Sequence, residues 1–189
     1  MRRVGIFGGS FDPPHRAHIK MALLATESIP LDLLYFIPSY QAPLKGHQPL
    51  AAPEHRVAML EQLIGMQTGW SVHPYEIKQQ RPVATIETVG HLTSNDPDDS
   101  YFLIIGGDQL AQFDRWEQAD RLAEMVQIVC FTRNGFQPTS PNNVQTSTIP
   151  LNMAVSSSMI RERISKGEIP EELLLPEISA YIRKHKLYR

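Results

Sequence analysis

With 189 residues, 42% of them hydrophobic and 20% charged, the chain is large enough to bury one sizeable hydrophobic core. A formal net charge of −2 argues against a broad nucleic-acid-binding surface, although a small anionic ligand would need only a local positive pocket. No apolar run approaches the length of a membrane span and the N-terminus shows no signal-peptide pattern, so we expect a cytoplasmic protein with no membrane partner.

The first half of the chain alternates short apolar runs with amphipathic segments. This pattern predicts strands at Arg3–Phe7, Leu31–Ile37 and Trp70–Ile77, and helices at Ala17–Ser28, Glu54–Met66 and Ala84–Leu92. A polar, proline-rich stretch, Ser39–Pro53, is interpreted as a loop.

The second half continues in the same way. It predicts strands at Tyr101–Ile105 and Val126–Phe131, a helix ending at Leu122–Met125, a long loop at Arg133–Pro150, and helices at Ser156–Lys166 and Pro176–His185. The only cysteine, Cys130, lies in an apolar run and is interpreted as a core residue.

Repeated β-then-α units predict an α/β fold, a Rossmann-like doubly wound parallel sheet with helices on both faces. In such a sheet, ligands bind at the carboxyl ends of the strands. We expect residues 1–189 to form a single domain, with the C-terminal helical part, 156–189, packed on it.

The most informative stretch follows the first strand. Gly8 and Gly9 end that strand, prolines follow, and His15 and His18 stand three residues apart. On a helix that begins near Pro14, both imidazoles would share one face at the positive end of the helix. A strand, a glycine turn and the start of a helix together form a cradle whose backbone N–H groups face a phosphate. The two histidines add hydrogen-bond donors to it. We interpret the stretch as a nucleotide-phosphate site; zinc is a poor alternative, because no cysteine or nearby carboxylate completes a ligand set.

A second candidate phosphate site is a run of three serines, Ser156–Ser158, followed by Arg161. Ser157 and Ser158 are four and three residues from Arg161, so hydroxyls and guanidinium can share a helix face. A guanidinium is a planar, permanently charged phosphate clamp. One serine would suffice as an ordinary helix cap, and the two roles are compatible.

Four further residues have two interpretations each. Gly106 and Asp108 end a strand and could form a simple turn or a ligand contact. Lys45 and Arg133 could be solvated cations or cations that close on phosphates.

Together these motifs resemble the signature of the nucleotidyltransferase superfamily, Gly-x-Phe-Asp-Pro-x-His-x-x-His, followed by Ser-Ser/Thr-x-x-Arg. The resemblance implies that His15 and His18 bind the phosphates of ATP and stabilise the transition state, with Arg161 as the third catalytic residue. It implies that Ser157 and Ser158 hold the β- and γ-phosphates. The ATP-binding residues that it implies are Gly8, Gly9, Ser10, Phe11, Lys45, Gly106, Asp108, Arg133, Ser157 and Ser158. In the superfamily, glycine and aspartate at the positions of Gly106 and Asp108 contact ribose hydroxyls.

Over nearly the whole chain, the resemblance is to the bacterial nicotinate mononucleotide adenylyltransferase family. Length, motif order, the stretch Val155–Arg163 and the tail Tyr181–Arg189 are similar. The family has an aromatic residue that stacks on the pyridine and backbone amides that receive its carboxylate. These features imply that Trp116 and Thr85 bind the substrate.

The sequence departs from this family in the segments that are expected to bind the pyridine ring. The family's Pro-Pro-His-Lys is Ala42-Pro43-Leu44-Lys45 here, its Ser-Tyr-Thr is Val83-Ala84-Thr85, and its Trp-Tyr is Trp116-Glu117. An inward Glu117 carboxylate would repel a nicotinate carboxylate, by up to about 4 kcal/mol at ~4 Å and an effective dielectric of ~20. The preference between acid and amide therefore stays open.

The function implied by the resemblance is transfer of AMP from ATP to the 5′-phosphate of nicotinate mononucleotide, giving deamido-NAD and pyrophosphate in NAD biosynthesis. Such a reaction needs positioning and charge stabilisation but no side-chain nucleophile. Mg²⁺ would arrive with the nucleotide, since the sequence offers no dedicated carboxylate cage for it.

Two alternatives stay open. The first is adenylyl or cytidylyl transfer to another phosphorylated acceptor, such as nicotinamide mononucleotide or phosphopantetheine. The second is a nucleotide-binding module without turnover. The expected partners are ATP and a pyridine mononucleotide, with no nucleic acid, and the oligomeric state is open, a homo-oligomer included.

Overall fold

Six parallel strands form one sheet in the computed structural model, which describes residues 1–44, 47–65, 67–132 and 144–189. The strands are β1 (Arg3–Gly9), β2 (Leu33–Pro38), β3 (Trp70–Val72), β4 (Ser100–Gly106), β5 (Gln127–Thr132) and β6 (Thr146–Pro150). Their order across the sheet is β3-β2-β1-β4-β5-β6, and every neighbouring pair is parallel. The α/β, Rossmann-like prediction is thereby confirmed.

Helices cover both faces of the sheet. They are α1 (Arg16–Ser28), α2 (Pro53–Ile64), α3 (Tyr75–Lys78), α4 (Thr85–Asn95), α5 (Gly107–Leu110), α6 (Ala119–Met125), α7 (Ser157–Ser165) and α8 (Pro176–His185), with a 3-10 turn at Phe113–Arg115. Within the described ranges, none of these helices has the length and apolarity that a membrane span requires.

Alternation along the strands divides the core into two clusters. Phe36 and Phe102 face the cluster that holds buried residues of α1, α2, α7 and α8. Leu103 and Ile105 face the other cluster, with α4 and α6. Because β4 is covered on both faces, its residues Tyr101 to Ile105 are all buried, which explains the continuous apolar run. Cys130 is fully buried, and burial raises the pKa of its thiol to about 11, as expected of a core cysteine.

The centre of the sheet is the point where the strand order reverses. The chain passes from β1 outward to β2 and β3, then returns to β4 on the other side of β1. Phe7 pairs with Ile104, so the carboxyl ends of β1 and β4 lie side by side. Doubly wound sheets bind ligands at this switch point.

Two sequence predictions are wrong in part. The expected strand Trp70–Ile77 stops at Val72, and Tyr75–Lys78 is helical. Pro74 lacks an N–H and has a fixed φ, so it cannot extend the ladder of this edge strand. The end of the expected loop Arg133–Pro150 is strand β6, where Thr146, Thr148 and Ile149 pair with β5. β-Branched residues favour this extended backbone, although the half-exposed edge strand has no continuous apolar run.

Candidate active site

The turn after β1 places a buried aromatic ring beneath the second histidine. Phe11 has a left-handed backbone conformation (φ 48°), and the Asp12–Pro13 peptide bond that follows is cis. This backbone turns the Phe11 ring into the core, where it is 2% exposed and lies 4.9 Å from the His18 ring. Close packing favours glycine at position 9, because a Cβ on Gly9 would lie 3.3 Å from the Phe11 ring. Gly8 and Gly9 are the last residues of β1, and Ser10 follows them.

The two histidines stack at the start of α1. The helix begins at Arg16, two residues later than the expected start near Pro14, and His15 is its extended N-cap. The His15 N–H donates to Nδ1 of His18 at 3.1 Å, and the two rings stack with centroids 3.7 Å apart. Because Nδ1 accepts this bond, neutral His18 carries its proton on Nε2. The three-residue spacing therefore lets His15 and His18 cap the start of α1 reciprocally, and this capping fixes the orientation of both rings.

Helix α7 brings the serine–arginine motif to the same turn. Ser156 caps the helix by accepting the Met159 N–H at 3.2 Å, which leaves the next two serines for other contacts. The Ser157 hydroxyl donates to the carbonyl of Pro13 at 2.9 Å. Capping and contact with the turn after β1 are therefore divided between adjacent serines.

Arg161 makes the second connection between α7 and the turn. Its Nη1 donates to the carbonyl oxygen of Asp12 at 2.7 Å, and its Nη2 donates to the Ser158 hydroxyl at 3.3 Å. The guanidinium is also 3.7 Å from a carboxylate oxygen of Asp12. The structure therefore brings together two motifs that lie 149 residues apart in the chain.

Asp12 joins the turn to the loop that precedes α2. Its buried carboxylate accepts the N–H groups of Leu50 at 2.7 Å and Ala51 at 3.0 Å. Asp12 occupies the aspartate position of the superfamily signature, which by itself assigns it no task. No local pattern reveals this contact, because its partners are backbone groups almost 40 residues away.

Arg56 belongs to none of the predicted motifs, yet it contacts the same two segments. Its guanidinium is fully buried and donates to the carbonyls of Ser10 (2.8 Å), Ser39 (2.7 Å) and Ala51 (3.2 Å). A signal was present, since Arg56 lies three, four and seven residues before the buried Met59, Leu60 and Leu63. A charged residue on an apolar stripe predicts a buried polar contact.

The end of β4 lies beside this turn. Gly106 is the N-cap residue of α5, and its N–H donates to Oε1 of Gln109 at 3.0 Å. A Cβ on Gly106 would lie 3.0 Å from the Asp108 carboxylate, so glycine lets that exposed side chain approach the backbone. Lys45 and Arg133, the two further predicted phosphate contacts, lie outside the described residues.

The residues predicted to bind the pyridine lie on the other face of the sheet. Thr85 is the first residue of α4, and Trp116 follows the 3-10 turn, with its ring 5.4 Å from Phe113. The hydrogen-bonded Glu87 is the main cause of the raised pKa of Arg81, and the exposed Glu117 adds to it least. This cation offsets part of the negative charge at the start of α4.

A buried carboxyl group lies behind the start of α4. Glu76 is 8% exposed and accepts a 2.8 Å hydrogen bond from the Thr88 hydroxyl, one helical turn beyond Thr85. Burial raises the pKa of Glu76 to about 7; the Thr88 bond opposes that change and the nearby Glu87 adds to it. Within the described part of the chain, no three His, Cys, Asp or Glu side chains form a metal-binding group.

Comparison with known proteins places this architecture among nucleotidyltransferases. A family model described as cytidylyltransferase-like matches residues 6–163. The "Probable nicotinate-nucleotide adenylyltransferase" of Bacillus licheniformis is 35% identical over 189 residues, covering 100% of this chain and 99% of the relative. The nicotinate-nucleotide adenylyltransferase of Bacillus subtilis (strain 168) is 33% identical, with the same coverage.

A solved structure shows the same fold. The Plasmodium falciparum nicotinic acid mononucleotide adenylyltransferase complexed with NaAD superposes with a TM-score of 0.81. The sequence identity is 18%, and the match covers 100% of this chain and 98% of the other. The chain therefore belongs to the cytidylyltransferase-like family, alongside the nicotinate-nucleotide adenylyltransferases that it matches over its whole length.

Proposed function

We propose that this protein is a nicotinate-nucleotide adenylyltransferase, which transfers AMP from ATP to nicotinate mononucleotide. The observation that carries the proposal is the junction between the histidine turn and α7. Ser157 and Arg161 donate to the Pro13 and Asp12 carbonyls beside His15 and His18. Full-length relatives named for this activity supply the substrate class.

In the reaction, an oxygen of the acceptor 5′-phosphate forms a bond to the α-phosphorus of ATP. The bond between that phosphorus and the α,β-bridging oxygen breaks, and pyrophosphate leaves with the electron pair. No proton has to be removed from the attacking phosphate, which is an anion at neutral pH. Catalysis therefore consists of holding two anionic groups in line and stabilising the charge that builds up.

The stacked histidines are assigned to the transferring phosphate. His18 presents Nε2–H as a donor to an oxygen of the α-phosphate, while the bond from the His15 N–H holds its ring in place. His15, stacked on that ring, donates to the leaving group. The start of α1 adds its positive dipole at the same place.

The remaining phosphates are assigned to α7 and the glycine turn. Arg161 and the Ser158 hydroxyl hold the β- and γ-phosphates, and Ser157, which donates to the Pro13 carbonyl, lies beside them as a further contact once its hydroxyl turns to the nucleotide. Lys45 and Arg133 are further candidate cations. The backbone of Gly8 to Phe11 approaches the nucleotide. Gly106 and Asp108 accept hydrogen bonds from its ribose hydroxyls. ATP enters as its Mg²⁺ complex, in which the ion is part of the substrate and neutralises phosphate charge.

The acceptor is assigned to the edge formed by the start of α4 and Trp116. The indole stacks on the pyridine ring, and Thr85 lies at a helix start whose free N–H groups suit a carboxylate. Glu117 is exposed, so solvent and salt screen the repulsion that a nicotinate carboxylate would meet there.

The deciding experiment measures pyrophosphate release with ATP and each of three acceptors. We expect nicotinate mononucleotide to be the best substrate, ahead of nicotinamide mononucleotide and phosphopantetheine. Equal rates with the acid and the amide would contradict acid specificity. ATP binding without pyrophosphate release with any acceptor would support a nucleotide-binding module instead.

A further inference from the structure

Arg56 is a buried cation whose hydrogen bonds, within the part of the chain that the structure describes, go to backbone carbonyls near the candidate site. The three carbonyls belong to three segments: Ser10 in the turn after β1, Ser39 directly after β2, and Ala51 two residues before α2. Ser39 also donates its N–H to the carbonyl of Gly9 at 2.9 Å. One guanidinium thus fixes the distance between the turn and both ends of the 39–51 loop.

The cost of burying this charge indicates that its position matters. An ion in a protein interior loses several kcal/mol of solvation, and a buried arginine on a helix stripe could be replaced by a methionine of similar length. Burial lowers the pKa of Arg56, and the Asp12 carboxylate opposes that change. Asp12 itself holds the Leu50 and Ala51 N–H groups, so both charges act on the same junction.

The guanidinium has a geometry that no other side chain supplies. Its planar fork donates from Nε in one direction and from Nη1 to two carbonyls in another. A lysine keeps the positive charge but has one nitrogen, which cannot occupy both donor positions. The arrangement therefore predicts a requirement for arginine that charge alone does not satisfy.

We propose that Arg56 is a positioning residue for nucleotide binding, which holds the Ser10 turn in register with the loop before α2. It touches no substrate and acts through the backbone of Ser10 and Ala51. The identification of the nucleotide as ATP rests on the proposed function. The consequence is that loss of Arg56 weakens ATP binding selectively and leaves the binding of the mononucleotide acceptor unchanged.

The first test compares steady-state kinetics of Arg56→Lys and Arg56→Ala with a matched surface variant. Arg183→Met removes an exposed guanidinium on α8, where it pairs with Glu171, and is expected to behave as the wild type. We expect the KM for ATP to rise about tenfold in Arg56→Lys, and kcat/KM to fall about 100-fold in Arg56→Ala. A smaller folded fraction would lower kcat and leave both KM values unchanged, and that result would overturn the proposal.

Chemical rescue separates positioning from simple loss of packing. Arg56→Ala leaves a space that a free guanidinium ion can enter, so millimolar guanidinium chloride is expected to restore ATP binding. Urea at the same concentration serves as the control. Equal effects of the two additives would overturn the proposal. If Arg56→Ala does not fold, Arg56→Lys tests the proposal instead. An unchanged KM for ATP in that variant would contradict the requirement for a guanidinium group.

Amide hydrogen exchange tests the geometry without relying on turnover. In Arg56→Lys we expect faster exchange at residues 8–12 and 47–52, and no change in β4 or β5. Unchanged exchange in the first two segments would overturn the proposal. If the wild-type enzyme releases no pyrophosphate but these segments loosen in the variant, the positioning role stands and the proposed function fails.

Discussion

The phosphate end and the acceptor end of the candidate site are built by different means. At the phosphate end, Ser157, Arg161 and Arg56 donate to backbone carbonyls, so the chain itself is held in place. At the acceptor end, Trp116 packs against Phe113, and Thr85 rests on a helix backed by apolar residues. Hydrogen bonds to carbonyls require specific donors, whereas apolar packing tolerates substitution. We therefore expect phosphate handling to be strict and acceptor choice to be adjustable.

The sharpest test of this difference is His18→Ala. It removes the donor assigned to the transferring phosphate, and the expected result is a fall in kcat of about 100- to 1,000-fold with both KM values little changed. Pyrophosphate release measures the rate, and circular dichroism checks the fold. His185→Ala, at an exposed position on α8, is the control. A loss of less than tenfold in His18→Ala would contradict the assignment.

The acceptor end contains the buried Glu76, and its ionisation predicts a pH-dependent stability. Its pKa is raised to about 7 in the folded protein by burial, from 4.5 when unfolded. A raised pKa means that the folded state binds the extra proton, so this stability is complete below pH 4.5 and is lost as the pH rises through about 7. At about 1.4 kcal/mol per pKa unit, the loss is about 3 to 4 kcal/mol.

Glu76→Gln removes this dependence and retains an acceptor for the Thr88 hydroxyl. Urea unfolding at pH 5 and pH 8 measures the free energy of unfolding in each protein, with the exposed Glu61→Gln as the control. We expect the variant to be more stable than the wild type at pH 8 and similar at pH 5. A constant difference at the two pH values would show that Glu76 does not titrate in this range.

Trp116→Ala tests whether the acceptor end acts independently of the phosphate end. Loss of the stacking surface is expected to raise the KM for the mononucleotide about tenfold, since aromatic contacts contribute about 1 kcal/mol or more. The KM for ATP is expected to stay the same. Trp116→Phe retains a ring and should recover most of the affinity. An equal rise in both KM values would break the proposed division of the site.

The smallest expected effect belongs to a single hydroxyl. Ser157→Ala removes the 2.9 Å bond to the Pro13 carbonyl, and one such bond contributes about 1 kcal/mol. The expected result is a five- to tenfold lower kcat/KM for ATP, by the same estimate of about 1 kcal/mol. Ser165→Ala on the same helix removes only a local bond to the Glu162 carbonyl and should have no effect. Equal rates in the two variants would mean that the α7 contact does not position the turn.

Much of the fold could be predicted from local patterns. The helix Pro176–His185 has the predicted bounds, because a proline at its first position and a clear apolar stripe define it. The predicted strand at β3 is too long, and β6 lies in a stretch that is predicted as a loop. Their pairing depends on the neighbouring strand more than on their own side chains, so the local pattern is weak.

The candidate site, like the fold, combines features that the sequence predicts with features that it does not. Spacing predicted that His15 and His18 would lie close together, and their rings do stack. It also placed Ser157 and Arg161 on one helix. What spacing could not predict is the later start of α1, which makes His15 a cap residue. The roles assigned to these residues stay predictions until the variants are measured.

The sequence by itself determined which residues carry charge, hydroxyl and imidazole groups, and which strands and helices hold them, because periodicity and capping act over a few residues. Only the tertiary structure decided which groups meet. It brought Arg161 to Asp12 across 149 residues, buried Arg56 among three carbonyls, and enclosed Glu76 so that its pKa rises to about 7. These properties depend on desolvation and on partners distant in the chain, and neither is encoded in a local pattern.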